Sequence, residues 1–249
     1  GYMWCVRDAL HGSVCFSYDF GSRSKATAHK LLLGYHGNVQ VDGYNVYDDF
    51  EKIEDITLYG CWAHARRKFV EALDEDNQKA TQGLVYINKL YHIESVADDM
   101  KLTADQRKDK RKTEAYPIIC EFEKWLGDTW LKVLPGSRMG KAIQYNYTLL
   151  PRLARYVNEG RINIDNNLIE NAIRPLAIGR KNYLFCGNDD SAVRAAIIYS
   201  LISSCKAAGV DPREWMTDIL RKLPVYKESK MDIKELLPRN WKNRTDSSN

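Results

Sequence analysis

Apolar residues alternate with polar ones at the start of the chain and recur at helical spacing through most of the rest. Residues 2–6 and 13–18 are rich in aromatic and β-branched side chains around a turn-forming segment, which predicts an antiparallel strand pair. A short helix is predicted over residues 26–33, and short strands over residues 38–41 and 56–59. An α/β fold is therefore expected for this part of the chain.

A predicted helix over residues 61–73 follows the last of these strands, with Trp62, Ala65 and Phe69 on one face. From about residue 74 to residue 160 helical spacing continues almost without interruption. We expect an all-helical insertion between two parts of an α/β domain.

Residues 162–182, INIDNNLIENAIRPLAIGRKN, combine helix signals with charged side chains. Asp165 and Asn166 are good helix-start residues, and Pro175 is expected to stop the helix. The loop predicted after it carries Arg180 and Lys181. Glu170 has two interpretations at this point: a surface ion pair with Arg174 four residues later, or a carboxylate held on a rigid element as part of a metal or phosphate site.

The C-terminal part predicts two further helices and a tail. The first covers residues 191–208, and the second starts at Asp211 and Pro212, a favoured N-cap and first-position pair. A mostly polar extension is expected from Pro224 onward, and residues 245–249 are expected to be disordered. Four apolar residues of the extension resemble a docking patch: Ile233, Leu236, Leu237 and Trp241.

Composition narrows the class of protein only slightly. The 249 residues include 37 basic and 33 acidic side chains, a net charge of +4, which permits nucleic-acid binding without requiring it. Six scattered cysteines without a C-x-x-C pair favour a reduced, intracellular protein. The chain opens with Gly inside a strand-like run, so we expect it to be a fragment.

Five ordered blocks carry a family resemblance over nearly the whole chain. They resemble the transposases of the insertion-sequence-66 family, and they read LLLGYHGNVQVDGYNVYD, GCWAHARRKFVEAL, INIDNNLIENAIRPLAIGRKNYLFCGN, AAIIYSLISSCKAAGVDPREWMTDILRKLP and IKELLPRNW. The resemblance implies a ribonuclease-H-like core of the DDE type, in which a mixed sheet with flanking helices binds two divalent metals through three carboxylates. The implied division is residues 1–73 and 161–195 for the core, 74–160 for the helical insertion, and 196–249 for a helical C-terminal segment.

The resemblance also implies roles for individual residues. Asp42 of QVDGY matches the second carboxylate and Glu170 of NNLIENAIRP the third, as catalytic residues and ligands of Mg²⁺ or Mn²⁺. Supporting roles are expected for His64, reaching phosphate or Asp42, and for Asn166 and Asn167, orienting Glu170. The expected DNA-binding residues are Arg66, Arg67, Lys68, Arg174, Arg180 and Lys181.

The resemblance further implies a bacterial protein that acts at the nucleoid. Its expected partners are transposon ends and target DNA, on which it assembles as a homo-oligomer, and no membrane partner is expected. The position of the family's first aspartate lies upstream of GYMWCVRDA, and neither Asp8 nor Asp19 matches it. We therefore expect this fragment to be inactive, although its family is enzymatic. The alternative is a non-catalytic DNA-binding or assembly module left by a truncated mobile element.

Cys61 and His64 are spaced as half a zinc site, but no second half is evident.

Overall fold

In the computed structural model, which describes residues 1–21, 23–183 and 185–241, the chain divides into two units. Gly1–Thr27 and Leu168–Asn249 form the first unit, and Ala28–Asn167 forms the second. The first strands and the C-terminal helices thus belong to the first unit, and the later strands and the all-helical segment belong to the second. The tail predicted to be disordered, residues 245–249, lies outside the described residues.

The first unit opens with the predicted antiparallel pair. Strand β1 (Tyr2–Arg7) pairs with β2 (Val14–Asp19) in the register Tyr2 to Asp19 and Arg7 to Val14, which confirms this part of the prediction. Val14 and Phe16 are buried and pack with Ala172, Leu176 and Ala196. One face of the hairpin is therefore covered by helices from the end of the chain.

Helix α8 (Asp189–Ala207) lies along β2 and bonds to its backbone. The Val14 amide donates to Ser204 Oγ at 2.9 Å, and the Phe16 amide donates to Ser200 Oγ at 2.8 Å. The Ser204 hydroxyl donates in return to the Val14 carbonyl at 3.1 Å. Two serines one helical turn apart thus satisfy strand groups that would otherwise need a third strand.

Helix α7 (Asn167–Tyr183) corrects the prediction that Pro175 ends a helix. Pro175 lies inside α7, and the predicted exit loop with Arg180 and Lys181 is its last turn. Proline removes one helical donor, at a cost of roughly 3 kcal/mol. Ala172 and Leu176, on either side of Pro175, are buried against the hairpin, and this packing continues the helix past the proline.

Helix α9 (Pro212–Glu228) begins as the sequence predicts and ends later. The Asp211 carboxylate accepts from the Arg213 and Glu214 amides, both at 2.9 Å. The polar extension predicted from Pro224 is wrong for its first residues, because α9 continues through Pro224 to Glu228. Tyr226, beyond the proline, is buried, and its packing offsets the missing donor.

The predicted docking patch after α9 packs only in part. Leu236 is buried with Trp215, whose indole nitrogen donates to the Leu236 carbonyl at 3.0 Å. Trp241 donates from its indole nitrogen to Asp218 at 2.7 Å. Ile233 is 58% exposed, so it does not share this packing.

The second unit holds a parallel strand pair. Strand β3 (Gly37–Gln40) pairs with β4 (Ile56–Tyr59), and a 3₁₀ helix, Asn45–Lys52, lies between them in the chain. Helix α1 (Lys25–Leu31) precedes β3, and α2 (Trp62–Ala72) follows β4 directly. The predicted helices and strands are confirmed to within two residues, whereas the 3₁₀ helix was not predicted.

The remainder of the second unit is helical. It contains α3 (Asn77–Asp99), α4 (Ala104–Lys110), α5 (Tyr116–Trp130) and α6 (Arg138–Ala154), with a turn of π-helix, Arg111–Ala115, joining α4 to α5. Trp62 and Phe69 of α2 are fully buried against Phe122 of α5, with ring centroids 5.9 and 6.1 Å apart. This apolar core joins α2 to the all-helical segment.

A buried ion pair crosses the helical segment. Arg111, with a side chain 1% exposed, donates to both carboxylate oxygens of Glu94, at 2.8 and 2.6 Å. Its remaining terminal nitrogen donates to the carbonyls of Tyr156 and Glu159, at 3.1 and 2.6 Å. The guanidinium also lies 4.7 Å from the centroid of the Tyr156 ring. Arg111 therefore ties α3 and the π-helical turn to the segment after α6.

The mixed α/β class is confirmed, and the structure is mostly helical. The described strands form two separate two-stranded sheets, β1 with β2 and β3 with β4, rather than the single mixed sheet that the resemblance implies. Each sheet depends on helices to cover it.

Candidate functional site

Asp42 lies on a tight turn directly after β3. Val41 continues the ladder, its amide donating to the Tyr59 carbonyl at 2.9 Å. Asp42 Oδ1 accepts from the Tyr44 amide at 3.0 Å, and Gly43 has a φ of +83°, in the left-handed region that glycine adopts most easily. The half-buried Asp42 carboxylate is thus held by its own turn as well as by the strand before it.

Helix α6 supports this turn from the other side. The Tyr145 hydroxyl donates to the Asp42 backbone carbonyl at 2.7 Å. A Cβ at position 43 would stand 2.5 Å from Leu149 Cδ1 and 2.9 Å from Tyr145 Oη, so the glycine lets α6 approach the turn closely. Burial, with the nearby Asp42 carboxylate, raises the pKa of Tyr145, so the phenol is protonated as a donor at neutral pH.

The segment before α7 is fixed in the same unit as Asp42. Asn166 binds Cys61 twice: the thiol donates to Asn166 Oδ1 at 3.0 Å, and the Asn166 amide donates to the sulfur at 3.4 Å. Tyr91 of α3 donates to Asp165 Oδ2 at 2.8 Å. Asn167 donates to Asp165 from its amide and its side chain, at 3.0 and 2.8 Å. The described contacts of the two asparagines are thus with Cys61 and Asp165, and their predicted role beside Glu170 stays a prediction.

Glu170 lies in the first turn of α7, in the other unit. The positive end of a helix dipole favours a carboxylate at such a position. Arg7 of β1 donates to the Leu168 carbonyl at 2.9 Å, and Ala172 packs on the hairpin, so this turn is anchored on both sides of Glu170. The Glu170 side chain is half-buried.

The predicted DNA-binding residues form two sets, one in each unit. Arg66 and Arg67 are exposed on α2, whereas Lys68 is half-buried, 5.7 Å from the Tyr145 ring centroid and 3.4 Å from Glu71. The other set lies exposed on α7: Arg174, Arg180 and Lys181. By their exposure, Arg66 and Arg67 are therefore more accessible to solvent than Lys68.

Carboxylate oxygens are the donors that Mg²⁺ and Mn²⁺ prefer, so Asp42 and Glu170 fit a hard cation by their chemistry. Among residues 1–21, 23–183 and 185–241, no group of three or more His, Cys, Asp or Glu side chains is arranged to hold a metal ion. Nothing in the described structure therefore supports the zinc alternative at Cys61 and His64. Burial also raises the pKa of Cys61, which favours the thiol over the thiolate that zinc binds.

Sequence reasoning missed Tyr145, Tyr91 and Cys61 as supports of these segments. Tyr145 reads in the sequence as an ordinary aromatic residue at helical spacing, because the carbonyl that it binds belongs to a residue 103 positions earlier. The glycine after Asp42 is the one signal available, since it indicates a turn that another element can approach closely.

Carboxylates on rigid elements and exposed basic side chains on helices are features shared by proteins that act on phosphodiester backbones. Comparison with known families gives the more particular assignment. Residues 1–194 match the Transposase IS66 family and residues 200–239 match the IS66 C-terminal element. The chain belongs to the IS66 transposase family, which confirms the resemblance read from the sequence.

Three relatives come from Sinorhizobium fredii (strain NBRC 101917 / NGR234) and carry the names uncharacterized protein y4qI, y4jD and y4hP. Their identities to this chain are 34% over 239 residues, 30% over 228 and 29% over 268. The alignments cover 92%, 89% and 96% of this chain, but only 43%, 44% and 48% of the relatives. The chain thus spans less than half the length of the curated relatives it matches.

No solved structure matches the chain. In the part of the chain that the structure describes, no single helix is both long enough and apolar enough to span a membrane. Helices α8 and α9 meet the length and hydropathy requirements only as a pair, with a bend of 118° between them.

Proposed function

We propose that the protein containing this chain cleaves DNA strands at transposon ends and transfers them to target DNA, with Asp42 and Glu170 as catalytic metal ligands. The observation that carries the proposal is the placement of Asp42: a carboxylate follows a parallel strand on a turn fixed by backbone and side-chain bonds. Glu170, in the anchored first turn of α7, is the second carboxylate, chosen because the sequence motif NNLIENAIRP resembles that of the family.

The chain's own residues have distinct tasks in this proposal. Asp42 and Glu170 would hold Mg²⁺ or Mn²⁺, which would supply charge stabilisation to the oxygens of a phosphodiester. Arg66 and Arg67 on α2 bind backbone phosphates, as do Arg174, Arg180 and Lys181 on α7. Lys68 contributes charge from beside Tyr145, and His64 lies on the same helix and is proposed to reach phosphate or Asp42.

The wider assignments belong to the same proposal. A ribonuclease-H-like core would include both kinds of strand pairing seen here, because a mixed sheet contains antiparallel and parallel neighbours. Assembly as a homo-oligomer on transposon ends, at the bacterial nucleoid, follows from the family's proposed task.

The test is DNA cleavage by the full-length protein with Mg²⁺ or Mn²⁺, comparing Asp42→Asn and Glu170→Gln. Each substitution keeps the side-chain shape and removes the charge, so we expect cleavage to fall to background while DNA binding persists. The matched controls are Asp55→Asn, at an exposed position before β4, and Glu214→Gln, in the first turn of α9; both should cleave normally.

Unchanged cleavage in both Asp42→Asn and Glu170→Gln would show that the site assignment is wrong. Salt-dependent binding of transposon-end DNA by the unmodified full-length protein, without nicking in either metal, would instead favour the non-catalytic DNA-binding module.

A further inference from the structure

The Asp42 turn is bonded on both its backbone and its side chain. Tyr145 donates to the Asp42 carbonyl at 2.7 Å, and Tyr44 donates to Asp42 Oδ1 at 3.0 Å. The first bond orients the peptide that joins Asp42 to Gly43, and the second orients the carboxylate. Together they set the direction in which Asp42 presents its other carboxylate oxygen, Oδ2.

The bond from Tyr145 comes from a rigid element. Tyr145 lies near the middle of α6, which packs along α2 and has Ala142, Ile143 and Asn146 buried. Asn146, one position after Tyr145, donates from its side chain to the Ala65 carbonyl at 3.3 Å. The hydroxyl of Tyr145 is thus held by a packed helix rather than by a loop.

The Asp42 turn is also packed tightly against α6. Gly43 leaves no room for a side chain, because a Cβ would meet both Leu149 and Tyr145. The turn therefore rests on the α6 surface at Gly43 and is bonded to it at Asp42.

We propose that Tyr145 is a positioning residue for Asp42, by which the all-helical segment fixes a metal ligand that lies 103 positions earlier in the chain. This inference rests on the proposed function, in which Asp42 binds the metal. A correctly aimed ligand raises metal affinity, since its orientation is not restricted again on binding. The helical segment then takes part in catalysis through Asp42 without a residue of its own at the reacting atoms.

The first test measures the turn itself, in the 249-residue chain and without metal. Tyr145→Phe keeps the ring against Gly43 and removes only the hydroxyl. The matched control is Tyr147→Phe, on the same helix with a side chain 55% exposed. Hydrogen–deuterium exchange of the Tyr44 amide, which donates to Asp42 Oδ1, should accelerate about threefold to tenfold in Tyr145→Phe, the factor expected for one lost hydrogen bond, and stay unchanged in Tyr147→Phe.

The second test measures metal dependence in the full-length protein. Tyr145→Phe should raise the Mg²⁺ concentration that gives half-maximal DNA cleavage, and excess Mg²⁺ should restore much of the rate. Asp42→Asn should not be restored, because it removes the ligand instead of loosening it. A purely structural role for Tyr145 would not change the Mg²⁺ midpoint.

The outcomes separate the two proposals. If Asp42→Asn abolishes cleavage while Tyr145→Phe behaves as Tyr147→Phe in exchange and in Mg²⁺ midpoint, the positioning role is overturned and the proposed function stands. If Asp42→Asn cleaves normally, the proposed function fails at this residue, even where exchange shows that Tyr145 holds the turn.

Discussion

Arg111→Met tests how strongly the buried ion pair holds the second unit together. The substitution removes two bonds to Glu94, two bonds to the carbonyls of Tyr156 and Glu159, and the contact with the Tyr156 ring. Glu94 stays behind with a side chain only 8% exposed. Methionine fills most of the volume, so the dominant loss is electrostatic.

Removing one partner of a buried pair costs about 3–5 kcal/mol, because the other charge stays desolvated. Arg107 still donates to Glu94 at 2.9 Å, which favours the lower end of that range. A loss of this size lowers the melting temperature by about 6–20 °C in a protein of this length. Calorimetry and urea denaturation followed by circular dichroism measure both quantities.

Arg161→Met is the matched control. Arg161 also donates two bonds to one carboxylate, that of Glu159 at 3.0 Å each, but its side chain is 60% exposed. Solvent screens such a pair, so Arg161→Met should lower the melting temperature by about 4 °C at most, less than Arg111→Met does. Equal effects of Arg111→Met and Arg161→Met, or a loss below about 1 kcal/mol for Arg111→Met, would refute the reasoning from burial.

The double substitution Glu94→Leu with Arg111→Met sharpens the test. It removes both charges at once, so no buried group loses its counter-charge, and Arg107 keeps a second partner in Asp98. We expect it to be less destabilising than the sum of the single changes, with a coupling energy of about 0.5–3 kcal/mol. Additive losses would show that the two side chains act independently.

Three further predictions concern a turn, a pH range and a thiol. Gly43→Ala should lower the free energy of unfolding, measured by urea denaturation, by about 2–5 kcal/mol, because alanine meets a left-handed backbone and overpacks the contact with α6. Gly34→Ala, at a φ of +72° with open space around it, should show only the backbone cost of about 1–2 kcal/mol. Equal costs would contradict the close approach of α6. The bonds from Arg161 lower the pKa of Glu159 from 4.5 to about 2, so its stabilisation is complete above about pH 4.5 and is lost as the pH falls toward 2. The difference in melting temperature between the unmodified chain and Glu159→Gln should therefore shrink over that range, and a constant difference would contradict it. Burial, with Asp211 nearby, raises the pKa of Cys205 from 9.0 to about 11, which reduces its thiolate fraction at pH 8 about a hundredfold. Iodoacetamide labelling followed by mass spectrometry should therefore find the exposed Cys120 modified well before Cys205. Similar labelling rates would contradict this.

Local signals in the sequence were sufficient for most elements. The strand pair at the start, β4, α2 and the Asp211 cap of α9 all follow from patterns within about ten residues of one another. The prolines show where local signals fail. Pro175 and Pro224 each lie inside a helix, because burial of residues on both sides outweighs one missing backbone donor, and that burial depends on distant parts of the chain.

The candidate site divides in the same way. Asp42 and Glu170 could be chosen from local motifs and a family resemblance, and their joint role stays a prediction. The bond from Tyr145 could not be predicted, because no periodicity relates a helix residue to a carbonyl 103 positions away. The π-helical turn at Arg111–Ala115 was not predicted for a related reason, since its contact joins Arg111 to Glu94 on another helix.

The serines of α8 that bond to β2 show over how many residues a helix and a strand can stay in register. Four helical residues advance about 6.0 Å, whereas two strand residues advance about 6.7 Å. Ser200 and Ser204 can therefore meet alternate strand residues, but each further repeat would fall about 0.7 Å short. The next helical positions at this spacing are Ala196 and Ala208. The helix therefore matches β2 at two residues only, Val14 and Phe16. It covers this edge of the strand with side chains and does not offer a backbone along which further strands could add.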